Sequence, residues 1–391
     1  MKKLKSLNIA LAIFFMATIL TGCGSKNVSK TTEPITLNII DVSGSMKLVG
    51  DAIDQFKAAN PGLIGDVVIK TSTAVEVPSL LKAQILAEDV QTDLIFTGID
   101  GLSTCINRDV IQKIMPNYSS SFPSLESNYS TAAKATYDLA NGYALTYVFS
   151  PSGPIFTYNP DTVQNVPKTP DELLAFVKAN PGKFTYARPA ASGPGRTFLQ
   201  GLPYILGEQN PKDPKTWDKT WAYLKELNQY IDYYPAKTGT TFAELNQGKR
   251  SIVASQLGWD MNQRITGGIP QNYGGFMLDN TTLVSDAQYM VLPKGLTDDK
   301  IEVVLKLMQW LMTPNMQAIT YDSGYFYPGP SVKDVPLDAA PKASQDKIKP
   351  AIRQSYEDAI KTLPSSTQLD TTNFMEALNM WDQLFGTKVK R

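Results

Sequence analysis

The stretch ITLNIIDVSGSMKLVGDAIDQFKAANPGLIGDVVIKTS, residues 35–72, carries the pattern that decides the fold. Its two ends, ITLNIID and DVVIKTS, are short apolar runs with the length and composition of buried strands. Between them, Val49, Ile53 and Phe56 recur at intervals of four and three residues, which predicts an amphipathic helix. Asn60 and the Pro-Gly pair after it end that helix. The stretch therefore predicts a strand–helix–strand unit of an α/β sheet.

The alternation of strands and helices continues, and the composition of the sequence then changes. A second helix in PSLLKAQILAED leads to the strand DLIFTG, again typical of an α/β sheet. Residues 143–160 then read YALTYVFSPSGPIFTYNP, two aromatic-rich strand-like runs around a Ser-Pro-Ser-Gly-Pro turn, which we interpret as a crossing between lobes. A new α/β set begins at TPDELLAFVKANPG, and from about residue 285 the chain is expected to cross back through DAQYMVLPKG.

These crossings predict an α/β protein of two lobes, each a central sheet flanked by helices. A chain of 391 residues is too long for one ordinary core and suits two. We expect the first lobe to hold residues 35–150 and 285–335, and the second to hold 151–284 and 336–391.

Composition excludes several functional classes. Lys plus Arg and Asp plus Glu both number 37, without a basic patch, so we expect no nucleic-acid partner. The chain contains no histidine, which removes Ser-His-Asp and Cys-His catalysis and histidine zinc sites. We therefore expect a binding protein rather than an enzyme, a monomer with no cofactor and no bound metal. A secreted enzyme that works with carboxylates remains the competing class.

The N-terminus has the pattern of a signal peptide over residues 1–22. Lys2, Lys3 and Lys5 precede the apolar run LNIALAIFFMATIL, which is too short for a comfortable membrane span. The Leu-Thr-Gly-Cys that ends at Cys23 resembles a bacterial lipobox, with Cys23 as the site of lipid attachment and residues 23–34 as a flexible tether. We expect a lipid-anchored protein on the extracytoplasmic side of the cell membrane. An ordinary secretory signal is the alternative.

The Asp-x-Ser-x-Ser motif of residues 41–45 has three interpretations. Asp41, Ser43 and Ser45, joined by Thr73 and Asp100 from later loops, resemble the magnesium site of a von Willebrand A adhesion domain. The motif would otherwise cap the following helix, or line a ligand cleft. The cleft is favoured, because the later residues follow too closely for the von Willebrand fold and half of the chain would stay unexplained.

Four stretches in order resemble the solute-binding proteins of bacterial ABC importers. They are AIDQFKAANPG, DLIFTGIDGLSTCINRDVIQKIMP, PKTPDELLAFVKANPGKFTYARPAASGPGRTFL, and VLPKG followed by LKLMQWLMTPNMQAITYDSGYFYPGP. The resemblance is to the type II periplasmic-binding branch, near the polyamine, iron, thiamine and phosphonate binders. It implies a small-molecule solute held between two lobes, hinge closure around it, and ABC importer permease subunits as partners.

Open α/β sheets bind ligands at the carboxyl ends of their strands, so the loops there supply the candidate ligand-binding residues. Those of the first lobe are Asp41, Ser43, Gly44, Thr73, Glu76, Thr97 and Asp100. Those of the second lobe are Ser192, Gly193, Arg196, Trp259 and Asp260, and Tyr325 follows a helix end near the closing edge.

The sequence alone does not decide the charge of the ligand. Ser-Gly-Pro-Gly before a helix, with Arg188 and Arg196 nearby, resembles the anion loop of phosphonate and iron binders. An acidic and aromatic box would instead suit a polyamine or another organic cation. Its residues would be Asp41, Glu76, Asp100 and Asp260 with Trp259, Tyr325 and Tyr327. A zwitterion, such as an amino-phosphonate-like solute, would use both and is the preferred interpretation.

Overall fold

The computed structural model describes residues 33–390. The predicted signal peptide, Cys23 and the tether up to residue 32 lie outside the described residues. Within the described part, no helix combines the length and the apolar character that crossing a bilayer requires.

The strands are, in chain order, β1 Ile35–Asp41, β2 Ile64–Thr71, β3 Leu94–Thr97, β4 Ile111–Gln112, β5 Ala144–Gly153, β6 Ile155–Tyr158, β7 Phe184–Thr185, β8 Tyr234–Pro235, β9 Ile252–Ser255, β10 Gly274–Phe276, β11 Leu283–Pro293, β12 Gly329–Pro330, β13 Ser365–Ser366 and β14 Val389–Lys390. The α-helices are α1 Met46–Ala59, α2 Val77–Leu86, α3 Ile99–Asn107, α4 Leu125–Asn128, α5 Thr131–Leu139, α6 Pro170–Ala179, α7 Gly193–Ile205, α8 Asp218–Asn228, α9 Thr238–Asn246, α10 Leu257–Ile265, α11 Asp298–Leu311, α12 Pro314–Ile319, α13 Lys342–Ile348, α14 Gln354–Thr362 and α15 Thr371–Phe385.

The strands form two principal sheets. The large sheet runs β12-β5-β11-β3-β1-β2, with β4 and β13 also paired to β11. Its strands β1, β2 and β3 are parallel, whereas β11 is antiparallel to both β3 and β5. The small sheet runs β10-β6-β9-β7, and β8 pairs with β14 apart from both.

The opening stretch folds as its pattern predicts. β1 and β2 pair in parallel, and α1 connects them. Val49, Ile53 and Phe56 are buried on the inner face of α1, and Asn60 is the residue at its C-terminal cap. The buried face of α1 packs in the same core as α11 and the large sheet, so apolar burial at helical spacing fixes this layer.

The chain passes between the sheets with almost no linker. β5 belongs to the large sheet and β6 to the small sheet, and only Pro154 separates them. β11 then returns to the large sheet and pairs along most of its length with β5. β5 and β11 are therefore neighbours in the large sheet at the crossing between the lobes.

The C-terminal segment, which was expected in the second lobe, contacts both lobes. Ile348 packs in the core of the large-sheet lobe, and β13 pairs with β11. Trp381 on α15 instead donates from its indole N–H to the Tyr186 hydroxyl at 2.9 Å and packs beside Tyr234, in the other lobe. The residue boundaries proposed for the lobes therefore remain a prediction.

Candidate functional site

A cleft of about 670 Å³ lies between the two lobes. Loops and helix starts from both lobes line it: Val42, Ser43, Ser72, Thr73, Ala74, Val75, Gly98, Asp100, Ala190, Ala191, Gly193, Arg196, Lys237, Thr238, Gly239, Thr240, Trp259, Asp286, Gln288, Tyr325 and Phe326. Seven of the thirteen residues that the sequence singled out are in this lining: Ser43, Thr73, Asp100, Gly193, Arg196, Trp259 and Tyr325.

Asp41 caps α1 rather than lining the cleft. Its Oδ1 accepts hydrogen bonds from the backbone N–H groups of Ser43 and Ser45, at 3.2 and 2.8 Å. Its Oδ2 accepts from the Met46 N–H at 3.1 Å. The turn between them is closed by Gly44, which has φ of +75° and so uses the left-handed conformation that glycine adopts freely. Asp41 and Gly44 therefore shape the loop that brings Ser43 to the cleft.

The two serine hydroxyls of the same motif are both bonded to Gln288 on β11. Ser43 Oγ donates to Gln288 Oε1 at 2.5 Å, and Ser45 Oγ donates to the same oxygen at 2.6 Å. The carboxylate and the hydroxyls are thus already occupied by protein partners. Residues 33–390 contain no group of three or more acidic or cysteine side chains placed to hold a metal ion. The structure supports the capping and cleft interpretations together.

The neighbouring loops of the large sheet place only some of their candidates in the cleft. Thr73 lines it, whereas Glu76 is exposed beside the start of α2, where its N–H donates to Thr73 Oγ1 at 3.2 Å. Thr97 is buried, and its hydroxyl donates to the Gly98 carbonyl at 3.2 Å. Asp100 follows on α3 and lines the cleft.

The cleft holds an ion pair between the lobes. Arg196 Nη1 on α7 lies 3.4 Å from Asp100 Oδ2 on α3, and both side chains are largely buried. Asp100 Oδ1 and Arg196 Nε are buried atoms without a hydrogen-bond partner among the described residues. Each of the two charged groups therefore has an atom that can form a hydrogen bond and that the ion pair does not use.

The Gly-rich loop before α7 differs from the anion site that the sequence suggested. Ser192 caps α7, because its Oγ accepts from the Gly195 N–H at 3.0 Å, and it does not line the cleft. Arg188, expected to strengthen the site, pairs with Asp382 on α15 instead, with Nε 2.9 Å from Asp382 Oδ1. The only arginine that this loop brings to the cleft is Arg196, and an acid neutralises it.

Asp286 adds a second carboxylate that sequence reasoning missed. Its Oδ2 accepts from Gln256 Nε2 at 3.2 Å, and its Oδ1 accepts from Gln368 Nε2 at 2.8 Å and from the Ala287 N–H at 3.0 Å. Burial raises the pKa of Asp286, and the nearby Arg196 guanidinium acts in the opposite direction. Its neighbour in the cleft, Gly193, leaves the space that brings α7 close to this carboxylate.

Aromatic rings form one wall of the cleft. The Trp259 ring on α10 lies 5.5 Å from the Tyr325 ring in an edge-to-face arrangement, and the Phe242 ring stacks on Trp259. Burial raises the pKa of Tyr325 to about 12, so its hydroxyl is neutral at physiological pH. This wall offers ring faces and edges together with a neutral hydroxyl.

Asp260 does not join the cleft, although it follows Trp259 directly. It is fully buried, where Arg264 Nε donates to Oδ2 at 2.9 Å. Thr157 and Tyr356 donate their hydroxyls to the same carboxylate, each at 2.7 Å. The hydrogen bonds from Thr157 and Tyr356 hold α10 to β6 and α14, so Asp260 supports the lobe.

Sequence reasoning also missed a second helix start and two strand residues. Lys237, Thr238, Gly239 and Thr240 line the cleft at the start of α9. Asp286 and Gln288 line it from β11, two residues apart and therefore on one face of the strand. The available signal was the pair Asp286 and Gln288, two charged or amide side chains at alternate positions of β11.

Comparison with known proteins places this cleft in context. A family model described as bacterial extracellular solute-binding protein matches residues 51–351. None of the curated proteins matches the chain.

Three solved structures share the fold at low sequence identity. An ABC transporter structure from Clostridium perfringens ATCC 13124 is 12% identical, with a TM-score of 0.66, and covers 90% of this chain and 100% of that one. The spermidine/putrescine ABC transporter substrate-binding protein PotD of Streptococcus pneumoniae is 14% identical, with a TM-score of 0.58, over 89% and 99%. A periplasmic thiamin binding protein is 13% identical, with a TM-score of 0.62, over 92% and 97%. The expected α/β fold with two lobes is confirmed.

Proposed function

Since this chain belongs to the bacterial extracellular solute-binding proteins, which act outside the cytoplasm as the non-enzymatic receptors of ABC transporters, we propose that its cleft captures a small zwitterionic solute. An amino-phosphonate or an amino acid with separated charges has the required chemistry. The lobes close on the solute because it contacts both, and the closed form is the one presented to the permease.

This proposal rests on two atoms of the ion pair in the cleft that have no hydrogen-bond partner. Asp100 Oδ1 and Arg196 Nε belong to groups of opposite charge, and neither atom has a hydrogen-bond partner within residues 33–390. A buried polar atom costs free energy until it is paired. A ligand that carries both a cationic and an anionic group would satisfy both residues at once.

We propose that the cleft-lining candidates contact the solute directly. They are Ser43, Thr73, Asp100, Gly193, Arg196, Trp259 and Tyr325. The remaining candidates act through them: Asp41, Gly44 and Ser192 shape the loops, Thr97 and Glu76 hold the adjoining strand end and helix start, and Asp260 braces α10.

An organic cation such as a polyamine is the second candidate. Asp100 and Asp286 both line the cleft, and the Trp259 and Tyr325 rings lie in the same wall. Carboxylates and aromatic faces attract ammonium groups. PotD, which shares this fold, is named for spermidine and putrescine.

The cellular setting completes the proposal. We propose that the protein is a monomer anchored by lipid on Cys23, with the tether to residue 34 letting it reach the permease subunits. Retention of the protein by membranes, and its release when Cys23 is replaced by Ser, would test the anchor.

Thermal shift with a panel of solutes tests the ligand class. The panel contains aminoethylphosphonate, 4-aminobutanoate, putrescine, spermidine, thiamine, phosphate, sulfate and ferric ion, with magnesium and a chelator in separate wells. A solute at 100 times its dissociation constant adds about 2.7 kcal/mol, which is a shift of a few degrees for a protein of this size. A shift with a zwitterion supports the proposal, and a shift with diamines alone favours the second candidate. A shift with magnesium alone overturns both.

A further inference from the structure

The serine hydroxyls of the Asp-x-Ser-x-Ser loop bond the side chain of Gln288 on β11. We propose that this loop orients the Gln288 carboxamide so that its NH₂ group faces the cleft and donates to an acceptor oxygen of the solute. The inference rests on the proposed function and narrows it, because it requires a carboxylate, phosphonate or carbonyl oxygen at one end of the ligand.

The orientation follows from what surrounds Gln288 Oε1. Ser43 Oγ and Ser45 Oγ lie 2.5 and 2.6 Å from it, and the Tyr147 hydroxyl lies 3.5 Å from it. Separations of 2.5 to 2.6 Å are in the range of O–H···O bonds and are short for N–H···O bonds. The carbonyl oxygen of the carboxamide therefore occupies the hydroxyl side.

The nitrogen is then the atom left for the cleft. Gln288 is 3% exposed, and it lines the cleft. Among residues 33–390 its Oε1 has three hydroxyl partners, whereas Nε2 donates to none of these residues. Gln288 Nε2 is not one of the fully buried atoms that lack a partner, so it is open to the cleft, where its two N–H groups can donate to a ligand.

The capping function of Asp41 explains why the hydroxyls stay in place. Its carboxylate accepts from the N–H groups of Ser43, Ser45 and Met46, so the backbone of the loop is fixed to the start of α1. The loop therefore supports a donor on another strand. The motif that resembles a metal site acts on the ligand through Gln288.

Asp286 sets the length of the solute. Asp286 and Gln288 pair in regular register with Ser150 and Val148 of β5, so they stand two residues apart on one face of β11. At about 3.4 Å per residue their backbones are about 7 Å apart. The ammonium group of the solute would lie beside the carboxylates of Asp286 and Asp100, which both line the cleft and are close enough to repel each other. With an acceptor oxygen at Gln288, such a solute matches a short ω-amino acid or aminoalkyl phosphonate, and a diamine would place an ammonium group against the NH₂ donor.

Two probes of equal length and one conservative variant test the role of Gln288. Putrescine and 4-aminobutanoate share one ammonium end and differ only at the other. In Gln288→Glu the carboxylate still accepts from the serine hydroxyls, but an anionic oxygen replaces the donor. We expect the affinity for 4-aminobutanoate and aminoethylphosphonate to fall at least tenfold in Gln288→Glu, with no such fall for putrescine. Gln55→Glu, an exposed change of the same charge on α1, is the matched control.

A ligand-independent measurement keeps the inference separate from the proposed function. In the protein labelled with ¹⁵N glutamine, the Gln288 NH₂ signals, assigned by their loss in Gln288→Glu, should show exchange with water and no NOE to the Ser45 β-protons. A strong NOE to Ser45 places the nitrogen on the hydroxyl side and overturns the inference, even if a zwitterion binds. If no probe binds while the NMR result is as expected, the orientation of Gln288 stands and the proposed ligand class fails.

Discussion

Arg196 on α7 and Asp100 on α3 face each other from opposite lobes, with Arg196 Nη1 3.4 Å from Asp100 Oδ2. The pair connects the two sides of the cleft. Its separation is longer than a usual charge-assisted hydrogen bond, and one polar atom on each side has no partner among the described residues. We therefore expect the pair to contact the proposed solute.

Replacement of Arg196 by Gln should reduce solute affinity at least tenfold, which corresponds to about 1.4 kcal/mol. The change removes the cation that pairs with Asp100 and leaves Asp100 and Asp286 without its charge. Isothermal titration with the solute identified by the panel measures the effect. Arg188→Gln is the control, since Arg188 pairs with Asp382 away from the cleft lining. Equal losses in the two variants would contradict a role for Arg196 in binding.

Gly193 and Gly239 give a matched pair of alanine substitutions at helix starts in the same cleft. A Cβ at Gly193 would lie 2.7 Å from Gln256 Oε1 and 3.2 Å from Asp286 Oδ2, whereas a Cβ at Gly239 meets no atom within 4 Å. We expect Gly193→Ala to lower the free energy of unfolding by about 1–3 kcal/mol through overpacking. Gly239→Ala should leave it unchanged or raise it by up to about 1 kcal/mol. Urea denaturation measures both, and an equal effect would show that Gly193 is not closely packed in solution.

The sequence predicts the architecture well because apolar periodicity is local. The strand–helix–strand unit of residues 35–72 and the burial of Val49, Ile53 and Phe56 follow from spacing alone. The direction of single polar side chains depends on distant contacts. Arg188 meets Asp382 on the last helix, 194 positions further along the chain, and nothing near Arg188 indicates that contact.

In two places where the site differs from the sequence prediction, the sequence itself contains a signal for the observed arrangement. Asp260 and Arg264 are four residues apart on α10, the spacing at which side chains meet on a helix, and their ion pair turns Asp260 away from the cleft. Asp286 and Gln288 are two residues apart in β11, a stretch whose sequence predicts only a crossing between lobes. Alternation fixes their common face, but the side of the sheet on which the cleft lies is set by the fold.

Replacement of Asp286 by Asn should change the pH dependence of stability in a predictable direction. Burial raises the pKa of Asp286 in the native state above its ordinary value of 3.8. At a pH between 3.8 and the raised pKa, the native state therefore binds more protons than the unfolded state. The contribution of this group to stability therefore falls as the pH rises through that window. The melting temperature of Asp286→Asn minus that of the wild type should increase from pH 4 to pH 7, while binding of solute ammonium groups weakens. A difference that is constant with pH would contradict the raised pKa.

Replacement of Asp41 by Ala separates the capping function from metal binding. Asp41 caps α1 and Asp370 caps α15, where its Oδ1 accepts from the Asn373 N–H at 3.0 Å. Loss of either cap should lower the free energy of unfolding by about 0.5–2 kcal/mol. Only Asp41→Ala should also weaken solute binding, because only that loop holds the serines that bond Gln288. Both effects should be the same with magnesium and with a chelator, as urea denaturation and titration calorimetry would show. Stability that depends on magnesium in the wild type and not in Asp41→Ala would restore the metal interpretation of the motif.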